Sequence, residues 1–427
     1  MKKLYFLFLA IFAGLIFISC DKSYTETVTY QINEPILMST SDLRSSVKVT
    51  STTNKIENYG KICFYKNFLY IAETGKGIHI INNTNPAQPS VVGFIELLGN
   101  YDMAIRNNTL YADMLTNLVW FDISNPSAPV AAGCMANAFP AFLPPCDNGY
   151  GYDYNLVYAL QHNSDSVIVG WNTVERTEDV TRYRESWWGG IWNKSELYTA
   201  VPLTDSGNST GVNGSMSSFA LYNDYLYSVM NNKMTVISLT GAEPKIAADN
   251  IYIGYNVETI FSYKNAMFMG TPTGLLIYSV TNPIHPVLCS QISHVYGCDP
   301  VVVENDLAYV TVHSGNTCGQ NDNELFVIDV SDIRSPQQLV SYKMTSPKGL
   351  GIDNGTLFVC DNGLKIFNAE NPQTIIANQL AHYTGMNGYD VIPFNDVLMM
   401  IAEDGLYQYN YSDLNHIQLI SKLKFNN

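Results

Sequence analysis

The sequence runs to 427 residues, of which 14% are charged, against about 25% in an ordinary soluble domain. With 29 Tyr, 18 Phe and 29 Gly, and abundant Asn, Ser and Thr, its vocabulary is that of strands and tight turns, which argues against an all-helical protein. A formal net charge of −15 argues against a nucleic-acid partner, because phosphate binding needs clustered Lys and Arg.

In chain order the first feature is a secretory signal: Lys2 and Lys3, an apolar run from Leu4 to Ile18, then Ser19 before Cys20. The run is too short to span a bilayer comfortably. Phe17-Ile18-Ser19-Cys20 resembles a bacterial lipobox, with Phe17 where Leu is usual. In that motif the cysteine is diacylated and becomes the mature N-terminus. Residues 1–19 are therefore expected to be a lipoprotein signal peptide and Cys20 the lipidation site. The expected location is the cell envelope, on the outer membrane, with the side left open. An acidic body needs its acyl chains to hold it on an anionic surface.

A short apolar strand ending in a polar turn then recurs, beginning at Ile78, Leu118, Met234, Leu275, Leu325, Leu364 and Leu406. The starts are separated by 40, 116, 41, 50, 39 and 42 residues, so the unit is about 41 with one long interruption. Each copy follows a second strand that begins near an Asn and carries an aromatic, as in Asn108-Thr109-Leu110-Tyr111 and Asn354-Gly355-Thr356-Leu357-Phe358. The Asn-Asp and Asn-Gly pairs tolerate the positive φ that a hairpin needs. Several copies end in Asn-Pro, at Asn85-Pro86, Asn125-Pro126 and Asn282-Pro283. Proline cannot donate to a ladder, so these residues are expected between the third strand and an outer edge strand. Three or four strands per unit, with no helical period between them, predict an all-β fold, a β-propeller over residues 58–425.

The third-strand pattern, clearest in Leu325-Phe326-Val327-Ile328-Asp329 and Leu118-Val119-Trp120-Phe121-Asp122, resembles that of LVIVD-repeat β-propellers, known among bacterial cell-surface and secreted proteins. The resemblance implies a radial scaffold without one shared chemistry. Seven blades are favoured over eight. Asn155–Tyr158 with Ser166–Trp171 offers a further hairpin, but it lacks the Asn-Pro exit and the Asp-Ile-Ser ending. Residues 20–57 read as a tether that could add an outer strand closing the ring against the last blade.

An aromatic-rich insertion occupies about residues 140–215. Trp187, Trp188 and Trp192 are candidates for contact with a sugar or protein surface; the alternative is that the insertion's aromatics pack as its own small core. At the entrance to the blades stand Asp102, Glu258, Asp299 and Asp390, a candidate ring of carboxylates around the channel mouth. They could cradle a polar ligand or a cation such as calcium, or accept hydrogen bonds from amides at their own turns. Lys61, Ser218 and Lys348 stand at the same height in other blades. No cofactor is otherwise implied. Among the cysteines, Cys298 and Cys318 are the favoured disulfide pair and Cys134 with Cys146 the weaker alternative. Gly207-Asn208-Ser209-Thr210-Gly211 matches GxSxG, but lies in a polar linker without the strand and helix that a nucleophile elbow requires.

These observations favour a lipid-anchored envelope propeller acting as a binding or assembly module, with a membrane and a protein or glycan as partners, and more readily a non-enzyme than an enzyme. Two other readings stay open. One is an enzyme processing polysaccharide or peptide with the channel-mouth carboxylates; the other is a structural lipoprotein subunit of an outer-membrane complex.

Overall fold

The computed structural model describes residues 23–51, 55–140, 143–163, 165–183, 215–230, 232–254, 257–293, 300–313 and 323–425. Among the described residues, seven antiparallel blade sheets follow one another along the chain, each built on four consecutive strands in spatial order, the first with a fifth strand added at its outer edge. In the first blade these are Tyr59–Tyr65, Phe68–Glu73, Gly77–Asn82 and Ser90–Glu96. In the last they are Gly388–Phe394, Val397–Ala402, Gly405–Asn410 and Gln418–Lys424. The expected propeller thus forms with seven blades.

Apolar residues fill both faces of the inner strands because each sheet is sandwiched between two neighbours. Along the second strand of blade 1 the faces alternate. Tyr70 and Ala72 pack with Met103, Leu110 and Phe121 of blade 2, while Leu69 and Ile71 pack with Ile392, Met399 and Ile401 of blade 7. The same division repeats at every junction, and the 7–1 contact closes the ring. Fourth strands are largely exposed, as in Lys245–Tyr252 and Gln337–Lys343.

Turn chemistry follows from the local sequence. Between first and second strands the paired residues Asn107-Asn108, Asn305-Asp306 and Asn395-Asp396 all adopt positive φ, from 49° to 64°, the conformation that Asn and Asp tolerate in two-residue hairpins. The third strand of blade 4 opens at Gly274, where φ is 151° and a Cβ would lie 2.1 Å from the Ile292 carbonyl oxygen on the fourth strand.

The two hallmarks of the repeat prove to be halves of one latch. Tyr70 Oη donates to the Pro126 carbonyl of the next blade, and Tyr227 Oη to that of Pro283, each at 2.9 Å. At the junction of the last and first blades, Ser421 Oγ donates to the Pro86 carbonyl at 2.6 Å. There Asn83 and Gln408 also exchange reciprocal side-chain amide bonds of 2.8 and 2.7 Å.

One expectation and two of the less favoured alternatives are corrected. The outer strand from the N-terminal segment, Lys48–Thr50, pairs with Ser90–Glu96 of the first blade. It therefore does not close the ring against the last. The candidate eighth-blade hairpin does not form. Tyr154–Asn163 is a helix whose first turn is held by Asp153, which accepts from the Leu156 amide at 3.0 Å. Ser166–Tyr183 instead pairs with Ser23–Ser39 in a long two-stranded arm. Finally, Cys134 and Cys146 are free thiols, as are Cys289 and Cys360. Cys298 and Cys318 lie outside the described residues. Among the described residues no helix is long and apolar enough to cross a membrane.

Candidate functional site

The innermost strands line the channel, and their first residues surround one end of it. Across that end lies a short strap, Ser215–Ser218, immediately before the first strand of blade 3, Phe219–Tyr222. Ser215 Oγ donates to Asp390 Oδ1 of blade 7 at 2.9 Å and accepts from the Leu350 amide of blade 6 at 2.8 Å. The Met216 carbonyl accepts from Lys61 Nζ of blade 1 at 3.2 Å. The Ser217 carbonyl accepts from the Ile260 amide of blade 4. Ser218 donates to Asp102 of blade 2 through its amide at 2.8 Å and its hydroxyl at 2.7 Å. Four residues thus tie five other blades together.

Asp102 is the hub. Its Oδ2 also accepts from Lys61 Nζ at 3.0 Å and the Phe219 amide at 2.9 Å, and its Oδ1 from the Met103 amide at 2.7 Å. Asp102 has no exposed surface, and Lys61 is almost as buried. Burial pushes the Lys61 ammonium down to about 8, against the pull of Asp102. Beneath them Asp113 Oδ1 accepts from the amides of Tyr101 and Asp102 at 2.8 and 2.7 Å. Burial pushes its carboxyl up to about 7 despite those bonds.

The structure therefore brings Asp102 and Asp390 to one strap, together with Lys61 and Ser218 from the non-acidic positions at the same height. Both carboxylates also accept from the next residue's amide, Asp390 Oδ1 from Val391 N at 2.9 Å. Glu258 is buried just ahead of blade 4, its own amide bonded to the Gly270 carbonyl. Lys348 Nζ reaches Asn387 Oδ1 at 2.8 Å. Asp299, Trp187, Trp188, Trp192 and Cys20 lie outside the described residues. Trp171, within the insertion, stacks on Tyr152 at 5.1 Å and donates to the Pro144 carbonyl at 2.7 Å, so this part of the insertion packs on itself. Among the described residues no three His, Cys, Asp or Glu side chains are grouped to hold a metal ion.

Sequence reasoning missed a second set of carboxylates, one near the end of the second strand in several blades. Glu73 accepts from the amides of Glu57 and Asn58 at 3.0 and 2.9 Å. Asp361 accepts from those of Thr345 and Ser346 at 3.0 and 2.6 Å. Each clamps the loop that enters its own blade, as Asp113 does. The recurrence of an acid in Ala72-Glu73, Ala112-Asp113 and Cys360-Asp361 was the available signal.

Residues 60–96, 99–136 and 299–344 match the LVIVD repeat model, each stretch covering one blade. The chain is a seven-bladed propeller carrying LVIVD repeats. Among solved structures, these LVIVD blades are similar in fold to a protein from Lactobacillus plantarum, with a TM-score of 0.55 and 9% identity over 85% of this chain and 94% of that one. Other similar structures are the computationally designed Ika8 protein, with a TM-score of 0.48 and 9% identity over 87% and 89% of the two chains, and BamB from Moraxella catarrhalis, with a TM-score of 0.44 and 10% identity over 88% and 89%. No curated protein matches the chain in sequence.

Proposed function

We propose that this LVIVD-repeat propeller is a lipid-anchored scaffold of the bacterial cell envelope. It is tethered through Cys20 and acts by binding or assembling partners rather than by turning over a substrate in its channel. The observation that carries this reading is the strap. Asp102 and Asp390, two of the four carboxylates expected at the channel mouth, are buried under Ser215–Ser218 and engaged by its donors. A general acid or base must reach the proton it transfers, and a carboxylate already accepting several intramolecular bonds is spoken for. The blade surfaces that remain open are loops and fourth strands on a rigid ring, which suits recognition.

The experiment is to extract the native protein from membranes in mild detergent and measure its assembled mass by light scattering, alongside a Cys20→Ala variant. The expected result is a discrete assembly larger than one chain, recovered from the membrane fraction, and release of Cys20→Ala into the soluble fraction. A monodisperse single chain, with hydrolytic turnover of a polysaccharide or peptide that is lost in Asp299→Asn, would overturn the proposal in favour of an enzyme.

A further inference from the structure

We infer that the two-stranded arm, Ser23–Ser39 paired with Ser166–Tyr183, is a rigid spacer that holds the propeller about 30 Å away from a lipid bilayer. The inference rests on the lipid anchor proposed above. The arm has a clamped base, and among its described residues an outer half with no buried side chain. At the base, Thr40 N donates to the Asp165 carbonyl at 3.0 Å, and Met38, Val167 and Val169 pack against the core between the first two blades. Midway, the Asn33 side chain donates to the carbonyls of Asp147 and Tyr150 at 2.9 and 2.8 Å. Beyond Ile32 none of the described side chains of the arm is buried, yet pairing continues without a register shift from Ile32↔Val174 to Ser23↔Tyr183.

A two-stranded ribbon alone is marginal in water, so its outer half needs support along its length. Thr27 Oγ1 donates to Asp179 at 2.6 Å, and Thr29 and Thr177 share a hydroxyl bond of 3.0 Å. These are hydrogen-bonded cross-strand pairs on a water-compatible face. The opposite face offers only the scattered Val28, Tyr30 and Val180, all half-buried. That is too little apolar surface for a protein layer to cover.

Chain direction supplies the rest. The first strand runs from tip to base, so its distal end lies three residues from Cys20. The nine residues from Ser23 to Gln31 span about 30 Å at about 3.3 Å per residue when paired as a strand. As a flexible single chain the same nine would average only about 15–18 Å. Pairing with a second strand, returned from an insertion more than 120 residues downstream, converts a slack tether into a post.

Neutron reflectometry of the native acylated protein in a supported bilayer measures this height directly. The expected profile has a thin protein layer about 30 Å deep between the headgroups and the dense ring. Deleting Glu26–Thr29 together with Thr177–Val180 removes four cross-strand pairs and rejoins Thr25↔Thr181 to Tyr30↔Arg176 in register. The ring should then move about 13 Å closer, with an unchanged melting profile as evidence of folding. A ring lying flush on the headgroups in the parent protein, or a height that does not respond to the deletion, would overturn the spacer. Protein that carries no lipid and never adsorbs would overturn the anchor beneath it, and fractionation of Cys20→Ala tells these failures apart.

Discussion

Replacing Asp102 with Ala is the most searching perturbation of the strap. The carboxylate is fully buried and accepts from Lys61 at 3.0 Å, from the amide and hydroxyl of Ser218 at 2.8 and 2.7 Å, and from the amides of Phe219 and Met103 at 2.9 and 2.7 Å. Its removal leaves the Lys61 ammonium, whose side chain is 2% exposed, with the Met216 carbonyl as its one remaining hydrogen-bond acceptor among the described residues and only the more distant charges of Asp113 and Asp390 to offset it. Breaking a buried pair by deleting one partner costs about 3–5 kcal/mol. Orphaned amide donors cost about 1–3 kcal/mol each when they stay buried. The two overlap as the strap relaxes, so a total near the upper end of about 3–5 kcal/mol is expected. Adding Lys61→Met removes the stranded charge and should restore about 2 kcal/mol. Urea unfolding followed by intrinsic fluorescence reads both numbers, with the m-value checked for constancy. A loss below about 1 kcal/mol for Asp102→Ala would place the pair with ordinary surface ion pairs and refute the reasoning. So would a Lys61→Met change whose cost simply adds to the first.

Three further outcomes follow from the same geometry. Asp113, raised by burial to about 7 in the folded chain, binds its proton more tightly there than when unfolded, where a carboxyl titrates near pH 4. Its stabilisation is full below about pH 4 and is lost as the pH rises through about 7, so Asp113→Asn should flatten the thermal-stability profile across that window, and an unaltered slope would contradict a buried carboxyl. Tyr70→Phe and Tyr227→Phe each remove a phenol bond to the next blade and should lower unfolding stability by about 1 kcal/mol, whereas a neutral result in both would show that the latch contributes nothing measurable. Gly274→Ala drives a Cβ to within 2.1 Å of the Ile292 carbonyl oxygen and should cost more than about 2 kcal/mol. Gly170→Ala, whose Cβ meets only Ile36 Cδ1 at 3.5 Å, is the control expected to stay near neutral in the same melts.

The blades were legible because each carries its own instructions. Asn107-Asn108 and Asn395-Asp396 announce positive-φ turns, and strands such as Leu325–Asp329 are apolar on both faces because both faces meet another blade. The partnership of Tyr70 with Pro126 was visible only as two separate regularities, since a phenol in one repeat and a carbonyl in the next have no local connection. The arm was illegible for a similar reason. Ser23–Ser39 and Ser166–Tyr183 belong to no repeat, and their pairing is a contact between distant segments. In the site, Asp102 and Asp390 were picked out by register, but what engages them was not, because Ser215-Met216-Ser217-Ser218 reads as the tail of a polar linker. Lys61, noted only as a non-acidic position, turned out to be the cation around which the hub is built.

Amide hydrogen exchange at Ser218 and Phe219, whose amides both donate to Asp102, tests the central claim most directly, because a scaffold with a closed channel requires the strap to be part of the ring. These amides are expected to exchange as slowly as the buried amides of Ile123 and Val280, each bonded within its own blade at 2.8 Å, with protection lost together in Asp102→Ala. Exchange at the rate of a solvated loop in the parent protein would mean that the channel is open and its carboxylates are free to work, which contradicts the account.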